Sequence, residues 1–291
     1  MSKVLVTGGS GFIGSHLVDR LIDLGHEVTN IDTKASVNPK ALGRRVDINN
    51  RSHMLDAYEG IDYVFHVAGQ ARVQPSIHNP QDSITNNVNA TAKVLQLSKE
   101  AHVKRVIYSM TSSVYGAHLP PHTENMCPQP LSPYAVSKLA GEQLCKVYSE
   151  LYGLETVSLR YFNVYGPRES DFGQYTTVVK KFLQQQAAGE PLTIVGDGEQ
   201  RRDFTHVYDI VEANIAAMNC QSELKGEIFN IGAGHNYSVN EVAQMISSKY
   251  EYLPARKGEA RETLADNSKA RKILGWTPKL KLEDYIAESL L

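Results

Sequence analysis

Cysteine is scarce, with three in 291 residues at Cys127, Cys145 and Cys220. No two of them stand at a metal-ligand or redox spacing and their number is odd, so no disulfide framework is expected and free thiols are. Long apolar runs are missing too. Nothing approaches the roughly 18 consecutive apolar residues of a membrane-spanning helix, and a strand-like pattern begins at Lys3, so no leader peptide is expected and a cytoplasmic location is. Neither sign of charge dominates, since 30 Lys and Arg face 32 Asp and Glu for a formal net charge of −2. That balance argues against a nucleic acid or a membrane surface as partner. The ten His residues are scattered, which gives a metal site no support, and His16 and His66 read as packing or capping groups. There is no internal repeat, linker or low-complexity segment, and the length is ample for a large core.

What the chain does have is a glycine turn close to its start. Residues 3–6 (KVLV) read as a short buried strand, residues 7–14 as TGGSGFIG, and Phe12, Ile13, Leu17, Leu21 and Leu24 then recur at helical spacing. Strand, turn and helix follow in the order a dinucleotide site needs. Gly8 allows the tight turn, Gly11 lets backbone N–H groups approach a pyrophosphate, and Gly14 lets helix and strand pack closely. A glycine turn alone is weak evidence. Here the next strand-like run, 27–31 (EVTNI), ends in Asp32, about twenty residues on, where a carboxylate accepts from both adenosine ribose hydroxyls. The same charge repels a 2′-phosphate, so NAD rather than NADP is the expected cofactor.

Further along, a strand at 44–48 brings Asp47 and Ile48 to the edge of an adenine site, and a short helix covers 51–58. The buried run 62–67 (DYVFHV) ends in the small residues Ala68 and Gly69, at the strand end where open parallel sheets bind ligands. A helix over 80–102 leads into a strand at 104–109 (KRVIYS), followed by MTSSVYG. This alternation predicts an α/β protein, a Rossmann-type doubly wound parallel sheet with right-handed crossovers and a smaller C-terminal α/β substrate domain. Ser132 and Pro133 have the N-cap and first-position chemistry of a long helix. Tyr134 and Lys138 lie in its first turns at i, i+4 and so share a face. With 15 Tyr in the chain such a pair arises by chance. Its place, just after a strand ending in hydroxyls, is what lets Thr111, Tyr134 and Lys138 converge.

A strand at 155–159 precedes RYFNVYGPR, after which the alternation weakens. A helix at 175–188, a strand at 192–195, a turn entering a strand through RRDF and a helix at 207–218 are expected, with a strand at 227–231 returning to the sheet. Residues 1–165 are therefore assigned to NAD binding, completed by segments near 203–219 and 227–235, and 166–291 mainly to the substrate. Arg201, Arg202, Arg256 and Arg261 all fall in this second part, where they could neutralise a diphosphate.

With TGGSGFIG, MTSSVYG, YAVSK, RYFNVYGPR, RRDFTHVYD and ARKGEARETLAD in this order, the whole chain resembles the extended short-chain dehydrogenase/reductase family. More narrowly it is similar to nucleotide-sugar 4-epimerases acting on UDP-glucose (UDP-galactose) or UDP-N-acetylglucosamine. The resemblance implies a tightly held NAD that takes hydride from C4 of the sugar and returns it to the other face. It makes Tyr134 the base, Lys138 its electrostatic partner and ribose ligand, and Thr111 the hydroxyl on O4, in place of the usual Ser. It also implies NAD contacts by Gly8, Gly11, Phe12, Ile13, Asp32, Asp47, Ile48, Ala68, Gly69, Asn86, Ser109 and Tyr161, beside Gly14 of the turn, Tyr134 and Lys138. Asn163, Arg202, Arg256 and Glu259 would hold the nucleotide diphosphate and ribose. Thr177 replaces an Asn that often lies near the substrate phosphate, and Thr263 stands where a large aromatic restricts the sugar pocket to plain hexoses, so N-acetylated or uronic sugars are expected to fit. The helices at 80–102 and 134–152 correspond to those that pair in homodimers of the family.

Rival members of that family differ at two positions. Sugar dehydratases carry Asp and Glu where this chain has Ser112 and Ser113, and decarboxylases carry Glu at the Ser113 position. A hydroxyl, with its pKa far from neutrality, does not replace a carboxyl in moving protons at C5 and C6. A keto-sugar reductase shares the same Tyr and Lys but exchanges its nucleotide. A non-catalytic NAD-binding module would be expected to lose Tyr134 or Lys138, and both are present.

Overall fold

A computed structural model describes residues 1–169, 176–255 and 258–291. Seven strands form one parallel sheet: β1 (Lys3–Thr7), β2 (Glu27–Asp32), β3 (Leu42–Arg45), β4 (Tyr63–His66), β5 (Arg105–Thr111), β6 (Glu155–Tyr161) and, far along the chain, the strand Lys225–Ile231. Their spatial order runs from that last strand through β6, β5, β4, β1 and β2 to β3, and every neighbouring pair is parallel. The order reverses between β1 and β4. The carboxyl ends of the strands at such a reversal are the usual ligand position in open parallel sheets.

Helices cover both faces. On one, α1 (Phe12–Asp23) packs beside the helix Val207–Asn219, burying Leu17, Val18 and Leu21 with Ile210, Val211 and Ile215 against β1 and β6. On the other, the helices Ala90–Glu100 and Pro133–Tyr152 bury Val94, Leu95 and Cys145 against Tyr108 and Val106. Each such side chain contributes about 1.5–3 kcal/mol by leaving water. This apolar burial on both faces is what requires the strands to read as near-continuous hydrophobic runs.

After β6 the chain builds a second, smaller cluster. Tyr165, Phe182, Leu192, Ile194, Phe204, Val239, Val242 and Ile246 form its centre, and three two-stranded pairings frame it: Val164–Tyr165 with Thr205–His206, Arg201–Asp203 with Asn236–Ser238, and Leu192–Val195 with Tyr250–Leu253.

Most expected elements are present, and the departures have local causes. The third strand covers Leu42–Arg45, so Asp47 and Ile48 lie beyond it. The single helix expected at 80–102 is Pro80–Ser83, a π-helical turn Ile84–Asn89, then Ala90–Glu100. The wide turn admits the buried Asn87 amide, which reaches sideways to Gln70 and Ser137. A helix at Val73–His78 carries no apolar periodicity long enough to announce it. The helix expected at 175–188 is Val178–Ala187, its expected first residue lying outside the described residues. Ser132 caps the long helix as its sequence requires, accepting from Ala135 N–H at 3.2 Å, with Pro133 in its first turn and Gly153 left-handed at its end.

Candidate active site

At the glycine turn the constraint is steric. Gly8 has φ 74°, and a Cβ there would lie 2.7 Å from Ala68 Cα, because the loops after β1 and β4 touch. A Cβ on Gly14 would lie 2.1 Å from the Gly8 carbonyl oxygen. Gly11 forms the N-cap of α1 with no capping side chain, and a Cβ there would meet only the Gly8 carbonyl, at 3.3 Å. Uncapped first-turn N–H groups facing an open side are what an anion needs. Asp32 ends β2 beside them, its Oδ2 accepting from Ser10 N–H at 3.0 Å and its Oδ1 from Lys34 N–H at 2.9 Å. These residues fit a dinucleotide. Gly9, to which no role falls from sequence, is also close-packed, since a Cβ would come within 2.4 Å of Asn30 Oδ1 and that side chain would have to shift.

The remaining cofactor-side candidates surround this turn at different depths. Phe12 and Ile13 are half-buried in the first turn of α1. Ala68 N–H donates to Thr7 O at 2.9 Å. Asp47 and Asn86 are joined through Asn49, whose N–H donates to Asp47 Oδ1 at 2.8 Å and whose amide donates to Asn86 Oδ1 at 2.9 Å. Ile48 is buried in the core beside Leu5 and Ile31. Gly69 lies against Asn87. Ser109 and Tyr161 hydrogen-bond to each other at 3.0 Å between β5 and β6, and Asn214 donates to the same phenol at 2.8 Å. His66, between Thr7 and Thr91 hydroxyls at 2.8 and 2.9 Å, is a buried packing group whose ring burial holds at about pKa 3.

Thr111, Tyr134 and Lys138 come together at the sheet's carboxyl edge. Thr111 is the last residue of β5, and its hydroxyl accepts from Ser113 N–H at 3.2 Å and donates to Ser113 Oγ at 3.1 Å. Burial raises the Tyr134 pKa above its ordinary value, while the Thr111 hydroxyl and the positive charge of Arg72 pull it back. Lys138 is 6 % exposed. Burial lowers its pKa to about 7, and its Nζ rests 4.2 Å from the centre of the Tyr108 ring.

Arg72 is a residue that sequence reasoning missed. Its φ of 99° is rare for a side-chain-bearing residue, a strain on the order of 1–3 kcal/mol that persists only where surroundings enforce it. Two residues before it, Asn87 holds Gln70, accepting from its N–H at 2.8 Å and donating to its carbonyl at 3.0 Å. The Arg72 side chain places Nη2 3.5 Å from Glu169 Oε1. No pattern of residue types announces a positive φ at a non-glycine.

The substrate-side candidates form two groups. Asn163 Nδ2 donates to Thr263 Oγ1 and to Asp203 O, each at 3.0 Å, and Thr263 Oγ1 also accepts from Asp203 N–H at 3.2 Å. Arg202 Nη2 lies 3.6 Å from Glu259 Oε2, and burial lowers its pKa from the usual value. Glu259 also accepts from Gln74 Nε2 at 3.3 Å, so it reaches the helix Val73–His78. Thr177 stands apart, its hydroxyl donating to Glu169 Oε2 at 2.8 Å. Arg256 lies outside the described residues. Arg201 is tied to Asn236 and Glu241, and Arg261 forms two bonds to Asp197, so these two already have partners. Asp203 went unnoticed in the sequence. Its carboxylate accepts from Ala233, Gly234 and Ala265 N–H at 2.7, 3.0 and 3.0 Å, tying the loop after the strand Lys225–Ile231 to the segment that carries Thr263, while its backbone carbonyl accepts from Asn163.

Among the described residues no group of three or more His, Cys, Asp or Glu side chains is placed to hold a metal. No helix among them is long and apolar enough to cross a membrane.

Residues 4–232 match the NAD dependent epimerase/dehydratase family. Among solved structures, the chain is similar to UDP-glucose 4-epimerase of Thermotoga maritima with UDP-glucose (36 % identity, 99 % of this chain and 97 % of that one, TM-score 0.94). It is similar to UDP-glucuronic acid 4-epimerase of Bacillus cereus in complex with UDP-glucuronic acid and NAD (34 %, 99 % and 98 %, TM-score 0.90). It is equally similar to UDP-N-acetylglucosamine 4-epimerase of Methanobrevibacter ruminantium M1 in complex with UDP-N-acetylmuramic acid (34 %, 99 % and 97 %, TM-score 0.92). The chain belongs to the NAD dependent epimerase/dehydratase family, and it is an NAD-dependent enzyme of the nucleotide-sugar epimerase type.

Proposed function

We propose that the protein interconverts the C4 epimers of a UDP-activated hexose, with Tyr134 moving the proton of the 4-hydroxyl. The observation that carries this reading is the placement of Thr111 at the end of β5, with Tyr134 and, one helical turn on, Lys138 in the first turns of the long helix, and with hydroxyls and no carboxyl at positions 112 and 113. Bound NAD supplies the acceptor and donor of hydride. Thr111 orients the 4-hydroxyl, and its own geometry is held by Ser113 N–H. Tyr134 takes the proton as C4 is oxidised and gives it back as C4 is reduced. Lys138, whose pKa lies at about 7, favours the phenolate in its charged form.

On the cofactor side the reading assigns Gly8, Gly11, Phe12, Ile13 and Gly14 to the pyrophosphate, and Asp32, Asp47 and Ile48 to the adenosine. Ala68, Gly69, Asn86, Ser109 and Tyr161 line the remainder. Asn163, Arg202 and Glu259, with Arg256, take the nucleotide diphosphate and its ribose, and Thr177 is a weaker candidate because Glu169 already engages its hydroxyl. The half-buried guanidinium of Arg202, held by the Arg201 and Arg261 carbonyls through Nη1 and with one carboxylate 3.6 Å from Nη2, supports this, since a diphosphate offers Nη2 a closer charge-assisted bond. Residues 1–165 are assigned to the cofactor and 166–291 mainly to the substrate, a division supported by the separate apolar cluster after β6.

Similarity to epimerases of glucose, N-acetylglucosamine and glucuronate sugars leaves the sugar open among these three. The small Thr263 favours the substituted ones. A homodimer through the long helix is supported by Val136, Val147 and Leu151, which lie on one face of it and are exposed. Light scattering that gives a monomer at micromolar concentration would remove that element of the reading.

The test is incubation of the purified protein, without added cofactor, with UDP-glucose, UDP-N-acetylglucosamine and UDP-glucuronate, resolving C4 epimers by chromatography. Interconversion of a gluco/galacto pair is expected, and Tyr134→Phe should lower kcat by about 10²–10⁴-fold with the unfolding midpoint unchanged. A product lighter by one water would mean a dehydratase. Turnover of N-acetylated and uronic sugars indifferent to Thr263→Tyr would sink the pocket assignment.

A further inference from the structure

We propose that Tyr108 is a positioning residue of the reaction: the face of its buried ring seats the Lys138 ammonium, holding it one helical turn from Tyr134 without a countercharge. This rests on the reading of Lys138 as the electrostatic partner of Tyr134.

The argument begins with what a buried lysine needs. An ammonium taken out of water is costly unless it is paired, and a carboxylate is the usual partner. Among the described residues Lys138 forms no ion pair. The acid that its own helix offers on the same face, Glu142 four residues on, is already engaged. Arg160 of β6 donates to both its oxygens, through Nε at 2.8 Å and Nη2 at 2.7 Å, and both side chains are 2 % exposed. What Lys138 meets instead is an aromatic face. Its Nζ lies 4.2 Å from the centre of the Tyr108 ring, well inside the reach of a cation–π contact.

The ring is fixed as a platform. Tyr108 is fully buried within β5, three residues before Thr111, and its hydroxyl donates to the Lys138 carbonyl at 3.3 Å. Room for it under the helix comes from Gly141, where a Cβ would lie 2.3 Å from the Tyr108 hydroxyl oxygen and 2.7 Å from Cζ. Glycine in a helix interior is unfavourable relative to alanine, and here it admits the ring. Across the sheet Tyr108 is in register with His66 of β4, whose ring centre lies 5.5 Å away. One side chain thus meets both the backbone and the ammonium of Lys138 from the strand that ends in Thr111.

A ring differs from a carboxylate in a way that matters for the chemistry. A carboxylate beside Lys138 would cancel most of the field that the ammonium exerts on the Tyr134 phenol. The ring attracts a cation through its quadrupole and brings no net charge, so the positive charge stays available to a phenolate.

The other titratable and charged groups around Lys138 leave that charge unopposed. From β4 comes His66, kept neutral by burial between the Thr7 and Thr91 hydroxyls. The helix Ala90–Glu100 contributes Thr91, which is uncharged. From β6, Arg160 is neutralised by Glu142. The helix of Lys138 itself contributes Tyr134 and Cys145, whose thiol burial keeps protonated. Burial lowers the Lys138 pKa to about 7, and the ring opposes that loss of charge.

The experiment follows the Lys138 Cε resonance against pH by NMR in protein, as purified, labelled with carbon-13 at the lysine Cε, the resonance being assigned by its loss in Lys138→Met. The second readout is kcat and KM for UDP-glucose and UDP-glucuronate. Tyr108→Leu keeps an apolar side chain and loses the ring. It should lower the Lys138 titration midpoint by about 0.5–1 pH unit and kcat at neutral pH by about 3–10-fold, the same ratio in charged fraction, while KM stays that of wild type. Tyr108→Phe keeps the ring face without the hydroxyl and should restore both readouts, which separates the ring from the hydrogen bond. Should the Leu variant not fold, Tyr108→Met, unbranched and of longer reach, takes its place. An unmoved Lys138 titration without the ring would overturn the proposal. So would a shift in Tyr108→Phe equal to that in Tyr108→Leu, which would assign the effect to the hydroxyl. A moved titration with kcat unchanged would overturn the role in the reaction. Full activity in Tyr134→Phe would instead refute the base assignment, and the Lys138 titration would still report on Tyr108.

Discussion

The two ends of this site are built by different means. At the cofactor end the constraints are backbone ones: Gly8, Gly9, Gly11 and Gly14 lie within seven residues, and at three of them a Cβ would come too close to Ala68, Asn30 or Gly8 itself. At the end proposed for the substrate the constraints are side-chain bonds between distant segments. Asn163 and Thr263 stand 100 residues apart, and Asp203 gathers N–H groups 30, 31 and 62 residues away. The comparison teaches where each end is vulnerable. The first fails by steric collision at a local turn, the second by loss of a hub that no single segment contains.

That contrast can be broken in three places. The largest effect should come from Gly14→Ala, whose methyl would meet the Gly8 carbonyl at 2.1 Å. A loss on the order of 3 kcal/mol is expected, with NAD absent from the purified protein, and a urea melt beside a cofactor assay checks both. Retention of cofactor at full stability would show the turn to be more pliable than the glycine contacts imply. A smaller effect should come from Asp203→Asn, which turns an acceptor of three N–H bonds partly into a donor. About 2 kcal/mol is expected, and KM for the UDP-sugar should rise while the NAD content stays that of wild type. Equal damage to both ends would erase the distinction between them.

The smallest effect at neutral pH, one that grows only as pH falls, belongs to the cofactor end. Buried His66 has a folded pKa of about 3 against an ordinary 6.5. Above pH 6.5 it is neutral in both states and costs nothing. As pH falls from 6.5 towards 3 the unfolded chain takes up a proton that the folded one refuses, so stability declines over that window. Denaturation midpoints measured through it should show a shallower decline in His66→Gln than in wild type. An identical decline would place the acid sensitivity elsewhere.

The pairing of Thr111, Tyr134 and Lys138 was legible because each stands at a boundary that local chemistry marks: a strand end, a Ser-Pro helix start and the next turn of that helix. The parallel sheet was legible too, from apolar runs alternating with helical periodicity, though the order of its strands was not. Arg72 escaped because nothing in its neighbours' identities encodes a positive φ. The π turn at Ile84–Asn89 escaped because its cause, the Asn87 amide bridging Gln70 and Ser137, is a contact between three segments. Asp203 sat within a recognised motif, but its task depends on loops 30 and more residues downstream.

By itself, then, the sequence determined the glycine turn, the parallel sheet and the start of the long helix that carries Tyr134 and Lys138, since period, caps and close backbone approach are properties of short segments. Only the tertiary structure decided which charged and amide side chains meet around that helix. Arg72 with Glu169, Arg202 with Glu259, and Asn163 with Thr263 are pairs whose members acquire a partner when the sheet and the C-terminal cluster are assembled, and the energy of each pair exists only in that geometry.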